Sequence, residues 1–129
     1  MAITEASVSL RGTVLVVEDE NPLRTLMCAM LQRAGFTAHG ASNGADALHW
    51  LGEEGSPDVI FLDLIMPGMD GPTFVRAARE SGVTAPIVIV SASADAPEIS
   101  EQLGLAGFIQ KPFGFDRIVQ ALDRLIPRN

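Results

Sequence analysis

Short apolar runs alternate with helical patterns along this chain, and this alternation is the strongest constraint on its fold. Five runs predict strands, at 13–17, 36–40, 58–62, 86–90 and 107–110. Helical patterns follow each of them, at 22–34, 43–51, 71–80, 95–103 and 115–126. Strand–helix–strand units with right-handed crossovers build a parallel sheet that is covered by helices on both faces. We therefore predict an α/β fold, a single doubly wound domain of five strands and five helices.

Capping residues support several of these boundaries. Asn21 is predicted as the N-cap of the first helix with Pro22 at its first position, and Gly35 follows its end. Asn43 is predicted to cap the second helix in the same way. The helix at 95–103 has the weakest pattern, because only Ile99 and Leu103 form an apolar pair.

Length and composition favour one globular domain. Of 129 residues, 47% are apolar, which is enough for a packed core. We place a loosely ordered lead-in at 1–11 and the folded domain at 12–127.

A net charge of −7 with scattered basic residues argues against nucleic-acid binding. No apolar stretch approaches the ~20 residues of a membrane span and no secretory signal is recognisable, so we predict a cytoplasmic protein without membrane contact.

Reactive side chains follow four of the predicted strands. Glu18 and Asp19 come after the first, Asp63 after the third, Ser91 after the fourth and Lys111 after the fifth. Open α/β sheets bind ligands at the carboxyl ends of their strands, and in the flavodoxin-like order 2-1-3-4-5 the first and third strands are neighbours. Crowded carboxylates there require a positive partner, such as a lysine or Mg²⁺.

Together these groups predict a phosphoryl-transfer site. Asp63 would be the nucleophile, Mg²⁺ and Lys111 would neutralise the transferring oxygens, and Ser91 would hydrogen-bond the product. A lone acid after a strand is more often a helix cap, and Asp70 is most simply a turn residue. Four strand ends with complementary groups favour the functional interpretation.

The motifs of this chain resemble those of a receiver domain of two-component response regulators, over about 12–126. They are Glu18-Asp19, Asp63 with Met66-Pro67-Gly68-Met69-Asp70-Gly71, Ser91-Ala92 and Phe108-Ile109-Gln110-Lys111-Pro112.

The resemblance implies a specific division of roles. Asp63 would accept a phosphoryl group from a phosphohistidine of a sensor histidine kinase or a histidine phosphotransfer protein. Mg²⁺ would be held by Asp19, Asp63 and the backbone carbonyl of Ile65, with Glu18 helping through water. Lys111 would contact the phosphoryl group, and the Lys111–Pro112 bond would be cis.

The resemblance also implies a switch in which the Ser91 hydroxyl moves towards the phosphoryl group and the Phe108 ring turns inward. That movement would repack the surface of the fourth helix, fifth strand and fifth helix. Phe108 lacks the hydroxyl of a tyrosine, so packing alone would report its position.

Ile65 has no polar group that could orient a hydrolytic water, which predicts slow self-dephosphorylation.

Several alternatives stay open at this stage. The chain could be a docking domain that is never phosphorylated, and an aspartyl-nucleophile phosphatase is disfavoured because its second acid would have to stand at Ile65. We expect a signalling module rather than an enzyme with an external substrate. The chemistry of this module would be limited to its own phosphorylation and dephosphorylation. It could act alone or within a larger protein such as a hybrid kinase, and a homodimer that forms on phosphorylation is also open. Its downstream protein partner is unknown.

Overall fold

Strands and helices alternate through residues 11–127, the part of the chain that the computed structural model describes. The strands are β1 (Thr13–Val17), β2 (Thr37–Ala41), β3 (Val59–Leu62), β4 (Ile87–Ser91) and β5 (Gly107–Gln110). The helices are α1 (Asn21–Arg33), α2 (Gly44–Glu54), α3 (Gly71–Glu80), α4 (Ala96–Gln102) and α5 (Phe115–Leu125). The predicted lead-in lies outside the described residues, apart from Arg11.

All neighbouring strands are parallel and the sheet order is β2-β1-β3-β4-β5, which confirms the predicted fold class. The apolar runs in β1, β3 and β4 are buried because these central strands are covered on both faces. β2 and β5 form the edges and are partly exposed. In this register Val17 pairs with Ala41 on one side and with Leu62 on the other, so the carboxyl ends of β1, β2 and β3 are level.

The core has one layer on each face of the sheet. Alternate strand residues such as Leu15, Ile60 and Ile87 pack with the buried sides of α2 and α3. The intervening residues, including Val16 and Phe61, pack with α1 and α5 on the other face. Because strand side chains alternate between faces, a single apolar run supplies both layers. The sheet edge that carries the strand ends is thereby held on a rigid support.

Helix boundaries agree with the sequence patterns except at a few termini. The prediction of Asn21 as an N-cap is wrong: Asn21 is already helical, and Glu20 occupies the cap position without a side-chain cap bond. Asn43 does cap α2, because its side chain accepts a hydrogen bond from the Asp46 N–H at 2.7 Å. Asp70 is more than a turn residue, since it caps α3 through the Thr73 N–H at 2.9 Å.

Smaller differences occur elsewhere. β2 begins and ends one residue later than predicted. α2 continues to Glu54, whereas the prediction ends at Leu51. The last turn was missed because it is exposed and lacks the apolar residues that define the helical pattern. The predicted weak helix is the shortest, with seven residues at α4. Within residues 11–127, no helix has the length and apolar character needed to cross a membrane.

Candidate functional site

Three carboxylates meet where β1 and β3 end. One carboxylate oxygen from each of Glu18, Asp19 and Asp63 lies within 4.8 Å of the others. The sheet fixes this arrangement, because the Glu18 N–H donates to the Ala41 carbonyl and the Asp63 N–H to the Val17 carbonyl, each at 3.0 Å. Glu18 and Asp63 are buried, whereas Asp19 is exposed. The predicted acidic cluster is therefore present at the predicted edge.

Lys111 reaches this cluster from the end of β5. Its backbone N–H donates to the Ser91 carbonyl at 2.9 Å, which aligns the ends of β4 and β5. Its Nζ lies 2.9 Å from Oε1 of Glu18 and 3.7 Å from Oδ2 of Asp63. The Lys111–Pro112 peptide bond is cis, as the resemblance implied. The amine is thus within direct reach of both buried acids.

The electrostatics of the cluster are dominated by burial and mutual repulsion. Burial and the adjacent charge of Glu18 raise the pKa of Asp63 from its ordinary 3.8 to about 7, although Lys111 and the Ile65 N–H lower it. Burial alone would lower the pKa of Lys111, but its hydrogen bond to Glu18 and the nearby acids outweigh that effect and raise it. The site thus places three carboxylates beside one lysine.

Ser91 at the end of β4 and Phe108 in β5 lie in contrasting environments. Ser91 is fully buried, and its Oγ accepts a hydrogen bond from the Ser93 N–H at 3.1 Å. The Phe108 side chain, on the edge strand β5, is 39% exposed. The structure thus places the buried Ser91 hydroxyl at the end of β4 and leaves Phe108 partly exposed on β5. The inward movement of the ring stays a prediction.

Ile65 lies in the loop after β3 and contacts Asp63. It is 68% exposed, and its N–H donates to Oδ1 of Asp63 at 3.3 Å. This contact orients the carboxylate of Asp63 from the loop that follows β3. The role of the Ile65 carbonyl as a metal ligand stays a prediction.

The donor set fits a hard divalent cation. Three carboxylates supply oxygen atoms, which are the ligands that Mg²⁺ prefers, and only one of the three residues is exposed to water. Burial and then repulsion from Glu18 raise the pKa of Asp63, so additional positive charge beside it would favour its ionised form. A cation placed among these oxygens would supply it.

Two contacts to Glu18 were missed by the sequence analysis. The Glu20 N–H donates to Oε2 of Glu18 at 3.2 Å, and Nη1 of Arg24 donates to the backbone carbonyl of Glu18 at 2.8 Å. From the sequence, Arg24 is only one of nine scattered basic residues. Its position in the first turns of α1 was the available signal, because a long cation there can fold back over the preceding loop.

Comparison with known proteins identifies the family to which this fold belongs. Residues 14–123 match the family model described as the response regulator receiver domain. The chain belongs to this family. Receiver domains are the phosphorylation-controlled modules of two-component response regulators, and the family typically binds a metal in its acidic pocket.

Curated relatives include longer proteins that contain a receiver domain. The alkaline phosphatase synthesis transcriptional regulatory protein SphR of Synechococcus elongatus is 32% identical, over 100% of this chain and 54% of its own length. The DNA-binding transcriptional regulator NtrC of Escherichia coli is 34% identical, over 90% and 25%. The sensor kinase CckA of Brucella abortus is 33% identical, over 96% and 14%. This receiver domain therefore spans about half or less of these relatives.

Solved receiver structures superpose closely on the chain. The chemotaxis protein CheY4 of Vibrio cholerae gives a TM-score of 0.80 at 30% identity, covering 88% of this chain and 97% of that one. The response regulator TrrA of Thermotoga maritima, solved with Mg²⁺ and BeF, gives 0.78 at 28% identity over 88% and 97%. The receiver fold is thus shared over nearly the whole chain.

Proposed function

We propose that this receiver domain is a signalling switch that accepts a phosphoryl group on Asp63. The donor would be a phosphohistidine of a sensor histidine kinase or of a histidine phosphotransfer protein. The chain would catalyse only its own phosphorylation and dephosphorylation, and it would act by changing its affinity for a protein partner. That partner would recognise the surface formed by α4, β5 and α5.

One observation carries this proposal: the amine of Lys111 lies 2.9 Å from Glu18 and 3.7 Å from Asp63 in a three-carboxylate cluster. A capping or turn acid would need neither a half-buried lysine nor two further acids. Phosphoryl transfer needs all of them, because catalysis of this reaction consists mainly of positioning and charge compensation.

The chemistry assigned to Asp63 is an in-line displacement. An oxygen of Asp63 forms a bond to phosphorus while the phosphorus–nitrogen bond of the donor breaks, and the imidazole leaves after taking up a proton. Lys111 would transfer its hydrogen bonding from Glu18 to a phosphoryl oxygen. The Ile65 N–H holds the other oxygen of Asp63 in place for this attack.

A divalent cation completes the proposed site. Asp19 and Asp63 would hold Mg²⁺ with the carbonyl of Ile65, and Glu18 would contribute through water. When bound, Mg²⁺ supplies positive charge that stabilises the oxygens of the transferring group. The structure of TrrA with Mg²⁺ and BeF supports the assignment by similarity.

Ser91 and Phe108 would convert phosphorylation into a change of surface. The buried Ser91 hydroxyl would turn from the Ser93 N–H towards a phosphoryl oxygen, and the exposed Phe108 ring would occupy the vacated space. Because phenylalanine cannot donate a hydrogen bond, the partner would recognise the shape and apolar area of this surface.

Intact-mass measurement tests the proposal directly. Wild-type protein, Asp63→Asn and the control Asp95→Asn are incubated with acetyl phosphate, with Mg²⁺ or with EDTA. We expect a single phosphoryl group on the wild type and on Asp95→Asn, in Mg²⁺ only, and none on Asp63→Asn. Asp95 is a matched control because its carboxylate is exposed and makes no side-chain cap bond.

Two results would redirect the assignment. A folded wild type that takes no phosphoryl group from either acetyl phosphate or a phosphorylated histidine donor would favour an unphosphorylated docking domain. Incorporation that persists in Asp63→Asn would place the acceptor elsewhere.

A further inference from the structure

Arg24 reaches back from α1 to the end of β1, outside the acidic cluster itself. Its Nη1 donates to the backbone carbonyl of Glu18 at 2.8 Å, and its Nη2 donates to Oδ1 of Asn21. Arg24 is half-buried, so the guanidinium is partly shielded from water. Hydrogen bonds from a charged donor in such a place are stronger than neutral ones.

Glu18 is consequently restrained at four points. Its N–H donates to the Ala41 carbonyl at 3.0 Å, and its own carbonyl accepts from Arg24. Its side-chain oxygens contact Lys111 and the Glu20 N–H. The carbonyl held by Arg24 belongs to the peptide that joins Glu18 to Asp19. Rotation of that peptide would move two of the three acids.

A glycine on the neighbouring strand makes room for this contact. A Cβ added to Gly40 would lie 3.0 Å from Cγ and 3.1 Å from Cδ of Arg24, and 3.3 Å from Sγ of Cys28. These distances are shorter than ordinary van der Waals contacts, so even a Cβ at position 40 would require Arg24 to shift by a few tenths of an ångström, and a branched side chain would require more. Gly40 is not among the glycines with positive φ, and its backbone therefore accepts other residues.

We infer that Arg24 is a positioning residue for the phosphoryl-transfer site, and that Gly40 provides the space in which it acts. Arg24 fixes the Glu18–Asp19 peptide and thereby the oxygens offered to Mg²⁺ and to Lys111. It contacts the backbone carbonyl of Glu18 and does not touch the reacting groups. This inference deepens the proposed function and depends on it.

Charge alone predicts the opposite result. Arg24 is a cation close to an acidic cluster, so its removal would strengthen the attraction of the cluster for Mg²⁺. A positioning role predicts weaker Mg²⁺ binding, because the carboxylates lose their alignment. The direction of the change in Mg²⁺ affinity therefore separates the two explanations.

The test uses Mg²⁺ titrations of unphosphorylated protein followed by NMR. We expect Arg24→Gln to raise the Mg²⁺ dissociation constant roughly threefold to tenfold. Arg24→Lys keeps the charge but not the two-nitrogen fork, and it should also weaken binding. Gly40→Val, which leaves Arg24 in the sequence, should reproduce the effect and add little to Arg24→Gln in the double variant.

Matched controls separate this effect from general damage. Arg33→Gln removes an exposed cation from the same helix, and Gly52→Ala adds a methyl group where nothing lies within 4 Å. Both should bind Mg²⁺ as the wild type does. Thermal unfolding of every variant verifies that the titrated protein is folded.

A second readout needs no metal. Lys111 is the only lysine in the sequence, so its side-chain resonances are identified without further substitutions. In EDTA, Arg24→Gln and Gly40→Val should shift these resonances and the amide resonance of Glu20, which donates to Glu18. Arg33→Gln should leave both unchanged.

The outcomes are distinct. Unchanged or tighter Mg²⁺ binding in Arg24→Gln, with unaltered Lys111 and Glu20 resonances, would overturn the inference. If the wild type takes no phosphoryl group, the proposed function fails, but the resonances in EDTA still decide whether Arg24 positions Glu18.

Discussion

Lys111 is paired with Glu18: its Nζ lies 2.9 Å from Oε1 of that residue, nearer than it lies to Asp63. The amine is thus held at the site without being committed to the proposed phosphoacceptor. Glu18 keeps the lysine in reach and also contributes the repulsion that raises the pKa of Asp63. Both properties lead to measurable consequences.

Removal of Lys111 should destabilise the fold in a pH-dependent way. Lys111→Met leaves two buried carboxylates uncompensated, and we expect a loss of roughly 1–3 kcal/mol in the free energy of unfolding at pH 8. The loss should shrink at pH 5, where Asp63 takes up a proton. Urea unfolding at both pH values, with the exposed Arg76→Met as control, measures this difference. Equal losses at the two values would contradict it.

In the metal-free protein, the stability of Asp63→Asn relative to the wild type should increase as the pH rises. The pKa of Asp63 is about 7 in the folded state and lower in the unfolded state, so the folded state binds the proton more tightly. Its contribution to stability is present at acidic pH and is lost as the pH rises through 7. We expect Asp63→Asn to gain on the order of 2 kcal/mol relative to the wild type between pH 5 and pH 8.

Unfolding in EDTA across this range checks the expectation, and a pH-independent difference would refute it. Added Mg²⁺ should raise the melting temperature of the wild type and affect Asp63→Asn far less. Asp95→Asn controls for the loss of an exposed charge.

Self-dephosphorylation should be slow, because Ile65 cannot orient a water molecule beside Asp63. We expect decay over minutes rather than seconds, followed by intact mass after removal of acetyl phosphate. Ile65→Asn introduces a polar group at this exposed position and should shorten the lifetime several-fold, whereas Ile65→Val should not. A wild-type lifetime of seconds would disprove this prediction.

Ser91→Ala should separate phosphorylation from its readout. The variant keeps Asp63 and Lys111 and is expected to accept the phosphoryl group, but its Phe108 ring should stay exposed. NMR of the ring in the presence of beryllofluoride and Mg²⁺ measures this. Ser93→Ala is the control, because its hydroxyl accepts from the Asp95 N–H instead. An inward ring in Ser91→Ala would exclude Ser91 from the switch.

Asn43→Ala should cost about 1 kcal/mol of stability, because it removes the cap bond to the Asp46 N–H. Asn21→Ala should cost less, since Asn21 is the first residue of α1 and its exposed side chain accepts from Arg24 rather than from a backbone N–H of the helix. Urea unfolding of both variants decides this, and equal costs would count against the assigned cap.

The strands were predictable to within about one residue because apolar runs between Pro and Gly signals are unambiguous. The grouping of the acids, Ser91 and Lys111 followed from parallel topology alone. The sequence favours Asn21 as the cap because asparagine is a preferred capping residue and directly precedes Pro22, whereas backbone geometry puts Glu20 at the cap without a side-chain cap bond.

The sequence does not predict the distances between side-chain atoms. Nothing in the spacing of Lys111 indicates that its amine lies nearer to Glu18 than to Asp63. Likewise Arg24 and Gly40 belong to different elements, and their contact depends on how α1 packs on β2. Topology determines which strand ends meet, whereas packing determines which atoms touch.

The site draws its groups from the ends of β1, β3, β4 and β5, and this has a consequence during synthesis. β5, which Lys111 follows, leaves the ribosome after the other four strands, and β4 must be in place to receive it. A nascent chain that has already released Asp63 still lacks the lysine. We therefore expect competence for signalling to appear only when the whole sheet has assembled, so that truncated or half-folded chains do not compete for the phosphodonor.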